Sequence, residues 1–279
     1  MPSVTDRAVG TAPPVPAAVL DAFGLTGPAH ELPGGEGRSV RVGEASLKPT
    51  EDGPEARWTA ELLTRVAADG FRLARPLRAL DGRWVVDGWS ASRFVEGAPG
   101  AAGRWEELLA AARAFHAALS SAPQPTFLAS RTHRWAVADR VAWGEASVTP
   151  LPDVGPLLSR LESSRLLVTA DCQLVHGDLS GNVLFAEGQP PAIIDFSPYW
   201  RPAAYADAII AVDGLLWFGA DPELLNRADS SPDFPQLLVR ALIFRLVAMN
   251  ERARETAADL RDELAGFDVT ASAVEELLR

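Results

Sequence analysis

The stretch Leu174-Val175-His176-Gly177-Asp178-Leu179-Ser180-Gly181-Asn182-Val183-Leu184-Phe185 limits what this chain can fold into more than any other. An apolar run delivers Asp178, and four residues later Asn182 leads back into an apolar run. Asp195 stands thirteen residues beyond Asn182, at the end of a third run, Ala192-Ile193-Ile194. Short apolar runs bounded by glycine and polar residues read as buried strands. Such strands present two carboxylates and one carboxamide at adjoining ends, and a larger body must bury their flanks.

This set suits a particular chemistry. A carboxylate within reach of a hydroxyl can orient it and accept its proton. A second carboxylate and an amide oxygen are hard donors suited to Mg²⁺, which takes oxygen ligands and fills its octahedron with phosphate oxygens. Positioning a nucleophile and neutralising charge are the requirements of phosphoryl transfer. The plainer alternative is that Asp178 and Asn182 shape a turn while Asp195 caps the following segment.

The rest of the chain changes character along its length. Residues 1–14 read as a loose tail, and a short helix follows between Pro16 and Gly24. Residues 31–49 read as short strands around the turn Leu32-Pro33-Gly34-Gly35-Glu36-Gly37, and the last of them stops at Pro49. A helix is expected from Asp52-Gly53-Pro54 to Gly70, packed through Trp58, Leu62 and Val66. A hairpin then joins residues 83–86 to 89–95 through Asp87-Gly88. After Gly97 the pattern turns helical, with residues 105–119 and 237–264 reading as amphipathic. The expected fold class is α+β and bilobal. A small β-rich lobe spans residues 15–96, a connector lies near Glu96-Gly97, and a larger, mainly helical lobe spans residues 97–279.

Bulk properties narrow the partners. The 26 Lys and Arg against 37 Asp and Glu give a net charge of −11, which argues against nucleic acid as a partner. No run of about 18 apolar residues offers a membrane span, and no basic start with an apolar core offers a secretory leader. The single cysteine, Cys172, cannot form an internal disulfide and suits a reducing compartment, so a cytoplasmic location is expected. His30, His116 and His133 are scattered without the spacing of a zinc site. A GxSxG elbow and a GxxxxGK[ST] loop are both absent.

His176-Gly177-Asp178-Leu179-Ser180-Gly181-Asn182 followed by Ile193-Ile194-Asp195-Phe196 resembles the catalytic and metal loops of the aminoglycoside phosphotransferase and choline kinase group, with its protein-kinase-like fold. The resemblance is tight over residues 174–196 and diffuse over roughly 30–270. It implies that Asp178 is the catalytic base, that Asn182 and Asp195 hold magnesium, and that ATP or another nucleoside triphosphate binds between the lobes. One departure stands out: Asn182 follows Asp178 by four residues where the group has five, and we read this as subfamily variation.

The resemblance also asks for a strand lysine on the α- and β-phosphates and a helix glutamate to orient it. Lys48 is the only lysine in the sequence, and Glu61 is the expected partner. Its rival Glu55 has a plainer explanation in a capping box with Asp52. Gly35 and Gly37 would cover the phosphates, although the turn lacks full GxGxxG spacing. The backbone of Arg93 and Val95 would hold adenine, His176 would brace the catalytic loop, and Asp207 would support it from a helix. Residues 197–202 would border the acceptor pocket or simply pack. The implied activity is transfer of the γ-phosphoryl of ATP, with magnesium, to a hydroxyl of a small molecule. An aminoglycoside, a sugar or an amino alcohol would fit. Asp221, Glu223, Asp229 and Asp233 could line an acidic pocket or be solvated loop charge. The alternative from another class is a nucleotide-binding module that no longer turns over.

Overall fold

A computed structural model describes residues 13–32, 39–50, 53–229 and 231–279. The elements run α1 (Ala17–Phe23), β1 (Ala29–Glu31), β2 (Val40–Val42), β3 (Ala45–Pro49), α2 (Gly53–Arg65), β4 (Arg72–Leu73), β5 (Pro76–Leu77), β6 (Val85–Val86), β7 (Trp89–Arg93), β8 (Ala98–Pro99) and α3 (Trp105–Leu119). They continue with α4 (Arg134–Ala142), α5 (Gly155–Ser163), β9 (Gln173–His176), β10 (Val183–Phe185), β11 (Ala192–Ile193), β12 (Pro198–Arg201), α6 (Ala203–Trp217), α7 (Leu224–Arg227), α8 (Phe234–Thr256) and α9 (Arg261–Glu276). Packing divides them into two compact units, Met1–Ala122 with Gly181–Ser197, and Pro123–Ser180 with Pro198–Arg279. Among the described residues, the first unit is β-rich and the second mainly helical.

The first unit is built on a sheet ordered β1-β2-β3-β7-β5, with β6 paired to β7. The β6–β7 turn places Asp87 at φ 47° and Gly88 at φ 76°. Two successive positive φ values match the right-handed twist of a two-residue hairpin, and Asp-Gly is suited to both. One face of the sheet and helix α1 bury Val19, Phe23, Val42, Leu47, Val86 and Trp89 together. Exclusion of that apolar area from water drives their association.

Helix α2 ends at Arg65, five residues before the expected stop at Gly70. The Arg65 guanidinium donates to the Glu61 carbonyl, and Arg75 donates to the Leu63 carbonyl at 2.6 Å. Arg75 thus satisfies a terminal carbonyl that a longer helix would have engaged, and Val66 turns inward, 6% exposed. The fully buried positions of α2 are Ala60 and Leu63; Trp58 and Leu62 are half-buried. The packed face is therefore rotated from the one expected.

A second sheet of the first unit, ordered β4-β11-β10-β8, takes its two central strands from residues 183–193. Strand β11 lies parallel to β4 and antiparallel to β10. Gly97 has φ 147°, and a Cβ there would stand 2.8 Å from the Leu184 Cβ, so only glycine lets the chain pass β10.

In the second unit, β9 pairs antiparallel with β12, with His176 opposite Pro198 and Val175 opposite Tyr199. The proline hides this strand from sequence patterning. The region expected as one amphipathic segment is two helices, α8 and α9, separated by Ala257 at φ 53°. Helix α8 is not amphipathic along residues 236–250, where every side chain is buried. A helix buried on all sides must supply a partner for each polar group it carries. Asn250 accepts from the Leu151 N–H at 2.8 Å, Arg240 donates to the Leu166 carbonyl at 2.6 Å, and Gln236 accepts from the Leu166 N–H at 2.6 Å.

Arg201, at the end of β12, binds Asp139 of α4 through two hydrogen bonds of 3.1 and 2.7 Å and reaches Glu145 at 2.7 Å. Its guanidinium lies 4.7 Å from the centre of the Trp143 ring. Among the described residues no helix is long and apolar enough to cross a membrane.

Candidate active site

Three of the expected residues meet within the first unit. Strand β3 carries Lys48 opposite Ser90 of β7, while β10 and β11 pair Val183 with Ile193. The ladder continues as the Ile194 N–H donates to the Asn182 carbonyl at 3.0 Å, which sets Asn182 beside the end of β11. Just beyond, Asp195 adopts φ 48°. Among non-glycine residues Asp enters this left-handed region at comparatively low cost, and the conformation turns the chain at the end of the strand. The Lys48 ammonium donates to Asp195 Oδ1 at 2.6 Å, and both side chains are partly exposed.

A half-exposed Lys–Asp pair contributes little to stability. Its significance is chemical: it sets one cation beside a hard carboxylate, with the Asn182 backbone adjoining. No cluster of three or more His, Cys, Asp or Glu exists among the described residues. Magnesium does not need such a cage, since it binds through one or two protein oxygens and takes the rest from phosphates and water. The Asp195 carboxylate and the Asn182 amide fit that requirement.

Not every expected residue joins this group. Glu61 is exposed on α2, and Lys48 is bonded to Asp195 rather than to Glu61. Gly35 and Gly37 lie outside the described residues, as does Asp52. The Arg93 N–H donates to the Arg75 carbonyl at 2.7 Å, so that donor is engaged within the sheet.

Asp178 lies in the second unit, two residues past the end of β9. His176 is 1% exposed, and its Nδ1 accepts the Asp178 N–H at 3.2 Å. In neutral imidazole the accepting nitrogen carries no proton, so the proton sits on Nε2. Gly177 passes directly beneath Tyr199: an added Cβ would lie 2.4 Å from the ring. Tyr199 is buried and packs edge-on to Phe244 at 5.8 Å, so it cannot yield. Gly177→Ala is expected to overpack this contact and cost about 1–3 kcal/mol, which chemical denaturation would measure.

The Asp178 carboxylate is held by a residue that sequence reasoning missed. Arg245 of α8 donates through Nη2 to Asp178 Oδ1 at 2.8 Å. The same guanidinium binds Asp213 of α6 through Nε at 2.7 Å and Nη2 at 2.6 Å. Arg245 and Asp213 are each 2% exposed, while Asp178 is 43% exposed. Burial opposes the charge on Arg245, but Asp213 and Asp178 outweigh it and hold its pKa above the ordinary arginine value. The signal was present in the sequence: Asp213 interrupts the most apolar window of the chain, and Arg245 interrupts an apolar run between Phe244 and Leu246. A charge on a buried helix face requires an opposite charge on another.

Asp207 is buried on α6, six residues before Asp213. Among the carboxylates considered for an acidic pocket, Asp221 and Asp229 accept the N–H groups of Glu223 and Ser231 at 2.8 and 2.6 Å. Asp233 accepts those of Thr169 and Ala170 at 3.0 and 3.2 Å. These three shape turns and tie down a loop. Residues 198–201 form β12, whose Pro198 carbonyl accepts from Arg131 at 2.6 Å.

No protein-family model matches the sequence, and neither does any curated protein sequence. Solved structures do match. Spectinomycin phosphotransferase APH(9)-Ia, in complex with ADP and spectinomycin, superposes with a TM-score of 0.56 at 15% identity, covering 92% of this chain and 94% of that one. A choline/ethanolamine kinase family protein from Mesorhizobium loti gives 0.61 at 18% identity, covering 90% of each chain. Choline kinase LicA from Streptococcus pneumoniae gives 0.58 at 12% identity, covering 93% and 97%. In fold, over nine-tenths of its length, the chain is similar to aminoglycoside phosphotransferases and choline kinases.

Proposed function

We propose that this protein is a magnesium-dependent small-molecule kinase, transferring the γ-phosphoryl of ATP or another nucleoside triphosphate to an alcohol. The observation that carries the reading is the convergence of Lys48, Asn182 and Asp195 from distant points in the sequence. Lys48 neutralises phosphate charge, and Asn182 and Asp195 supply oxygens for the metal, which when bound offsets charge on the transferring group. Asp178 orients the acceptor hydroxyl and takes its proton as the new P–O bond forms. The β–γ bridging bond breaks in the same step, and ADP leaves with its electron pair.

Gly35 and Gly37, expected over the phosphates, lie outside the described residues, and the Arg93–Val95 backbone would contact the base. The acceptor is a small molecule bearing a hydroxyl. The described carboxylates near residues 221–233 do not favour a polycation over a sugar or an amino alcohol, because two are engaged in turns and Asp233 holds the backbone of Thr169.

The test is ADP release and label transfer from γ-labelled ATP across a panel of polyols, amino alcohols and aminoglycosides. Transfer that requires magnesium supports the reading. Nucleotide binding with no transfer to any acceptor or to water identifies a binding module instead. A second measurement isolates the metal site: ATP and magnesium together are expected to stabilise the protein more than either alone. The gain is about 2.7 kcal/mol at 100 times Kd. Asp195→Ala should abolish the magnesium-dependent part of the thermal shift, and a full shift in that variant would remove Asp195 from the metal site. Lys48→Ala should weaken nucleotide binding while leaving the melting temperature of the free protein near the wild-type value, because Lys48 is about half exposed.

A further inference from the structure

We propose that Arg245 is a positioning residue that fixes the Asp178 carboxylate for proton abstraction, and that Asp213 is the buried anchor holding Arg245 in place. The inference rests on the kinase reading above, in which Asp178 meets the acceptor hydroxyl.

The geometry separates the two contacts of Arg245 by function. With Asp213 it makes a two-point pair, both side chains 2% exposed. With Asp178 it makes one bond, to Oδ1, on a side chain that is 43% exposed. A guanidinium is planar and presents its donors in a fixed fork, so two bonds to Asp213 determine where the remaining N–H points. Aromatic rings limit its movement further: Phe244, Trp135 and Trp217 lie 5.1, 5.4 and 5.5 Å from its central carbon. The backbone of Asp178 is held independently, since its N–H is bonded to the buried His176. One accessible carboxylate is therefore fixed at its main chain by one buried group and at its tip by another.

A buried arginine with a single aspartate would already satisfy the core. The second bond, reaching out to an exposed carboxylate in the loop that follows β9, is not needed for that purpose. It does what a proton acceptor requires, since displacement of a reacting group by about 1 Å can cost roughly 10² in rate. Asp178 is thus a base with a selected orientation.

The test compares four proteins: wild type, Asp178→Asn, the double variant Asp213→Asn with Arg245→Met, and the triple combination. The double variant removes both buried charges at once, so that neither is stranded, and leaves Asp178 intact without its bond to Arg245. Turnover is read as ADP formation from ATP and magnesium with water as acceptor, alongside nucleotide Kd by calorimetry. The double variant is expected to keep its Kd within about twofold while kcat falls by roughly 10- to 100-fold. The triple variant should be no slower than Asp178→Asn, because the loss acts through that carboxylate.

A purely structural Arg245 would lower the melting temperature without changing kcat of the folded protein. Wild-type kcat in the double variant, with Asp178→Asn crippled, overturns the proposal and leaves the kinase reading intact. Wild-type kcat in Asp178→Asn overturns the kinase reading itself. Should the double variant not fold, Arg245→Lys keeps the charge but lacks the fork, and kcat within about twofold of wild type in that variant overturns the proposal. Crystal structures give a readout independent of turnover. The Asp178 carboxylate should occupy one rotamer in the wild type and several in the double variant, and an unchanged single rotamer would sink the idea.

Discussion

Asp178→Asn is expected to lower kcat by about 10² to 10⁴, equivalent to roughly 3–5 kcal/mol of barrier, while ATP affinity stays within a few-fold. The asparagine keeps the size of the side chain and much of its hydrogen bonding, but it cannot accept the proton. In the proposed function ATP affinity should survive, because Lys48 is carried by β3 and bonded to Asp195, and Asn182 is tied to the end of β11 by the Ile194 N–H. Folding should survive as well, since Arg245 retains both bonds to Asp213. Steady-state turnover and calorimetry on the same preparation decide the matter. A variant that turns over normally would make Asp178 a turn residue. A variant that loses folding, binding and turnover together would do the same.

The largest effect expected on stability comes from a different cluster. Arg201→Ala removes the partner of Asp139, whose side chain is 11% exposed. Breaking a buried pair by deleting one member typically costs about 3–5 kcal/mol, because the remaining charge is stranded. In a chain of this size that corresponds to a fall of roughly 6–20 °C in melting temperature. The loss should depend on pH, and its sign follows from burial. Desolvation pushes the Asp139 carboxyl above its ordinary value of 3.8 even against the opposing pull of Arg201. A carboxyl raised in the folded state favours folding while it is protonated, and that contribution fades as pH rises through the folded value. Without Arg201 the carboxyl rises further, so the deficit should be small in acid and grow toward neutral pH. Adding Asp139→Asn should recover most of it. An Arg201→Ala protein that melts like the wild type at pH 7 would show that the pair contributes nothing net.

Legibility in the sequence followed the range of the interactions. The hairpin at Asp87-Gly88, the helix over residues 105–119 and the strands around Asp178 and Asp195 were all readable, because turn chemistry and periodicity are encoded within a few residues. The pairing of Lys48 with Asp195 was not, since it joins residues that only the folded sheets bring together. Glu61 illustrates the limit. It occupies a plausible helix position, yet the face of α2 that turns inward is set by Ala60 and Leu63. Arg245 escapes sequence reasoning for another reason: residues 237–264 read as one amphipathic segment, a pattern that assigns no buried partner to an arginine. The burial of α8 reverses that assignment and makes every polar residue on it a question about a partner.

The second sheet of the first unit carries a consequence for biosynthesis. Arg72 and Leu73 pair with Ala192 and Ile193, which leave the ribosome about 120 residues later. At roughly 5–20 residues per second, β4 waits some 6–24 s for the strand that completes it. The β6–β7 hairpin needs only microseconds once its residues have emerged. Nascent chains halted anywhere between Pro99 and Asn182 carry β4 and β8 without the two strands that lie between them. During that interval unpaired strand edges are available to other chains. Translation speed through residues 100–190, and chaperone occupancy over the same window, should therefore govern how much newly made protein reaches the native state.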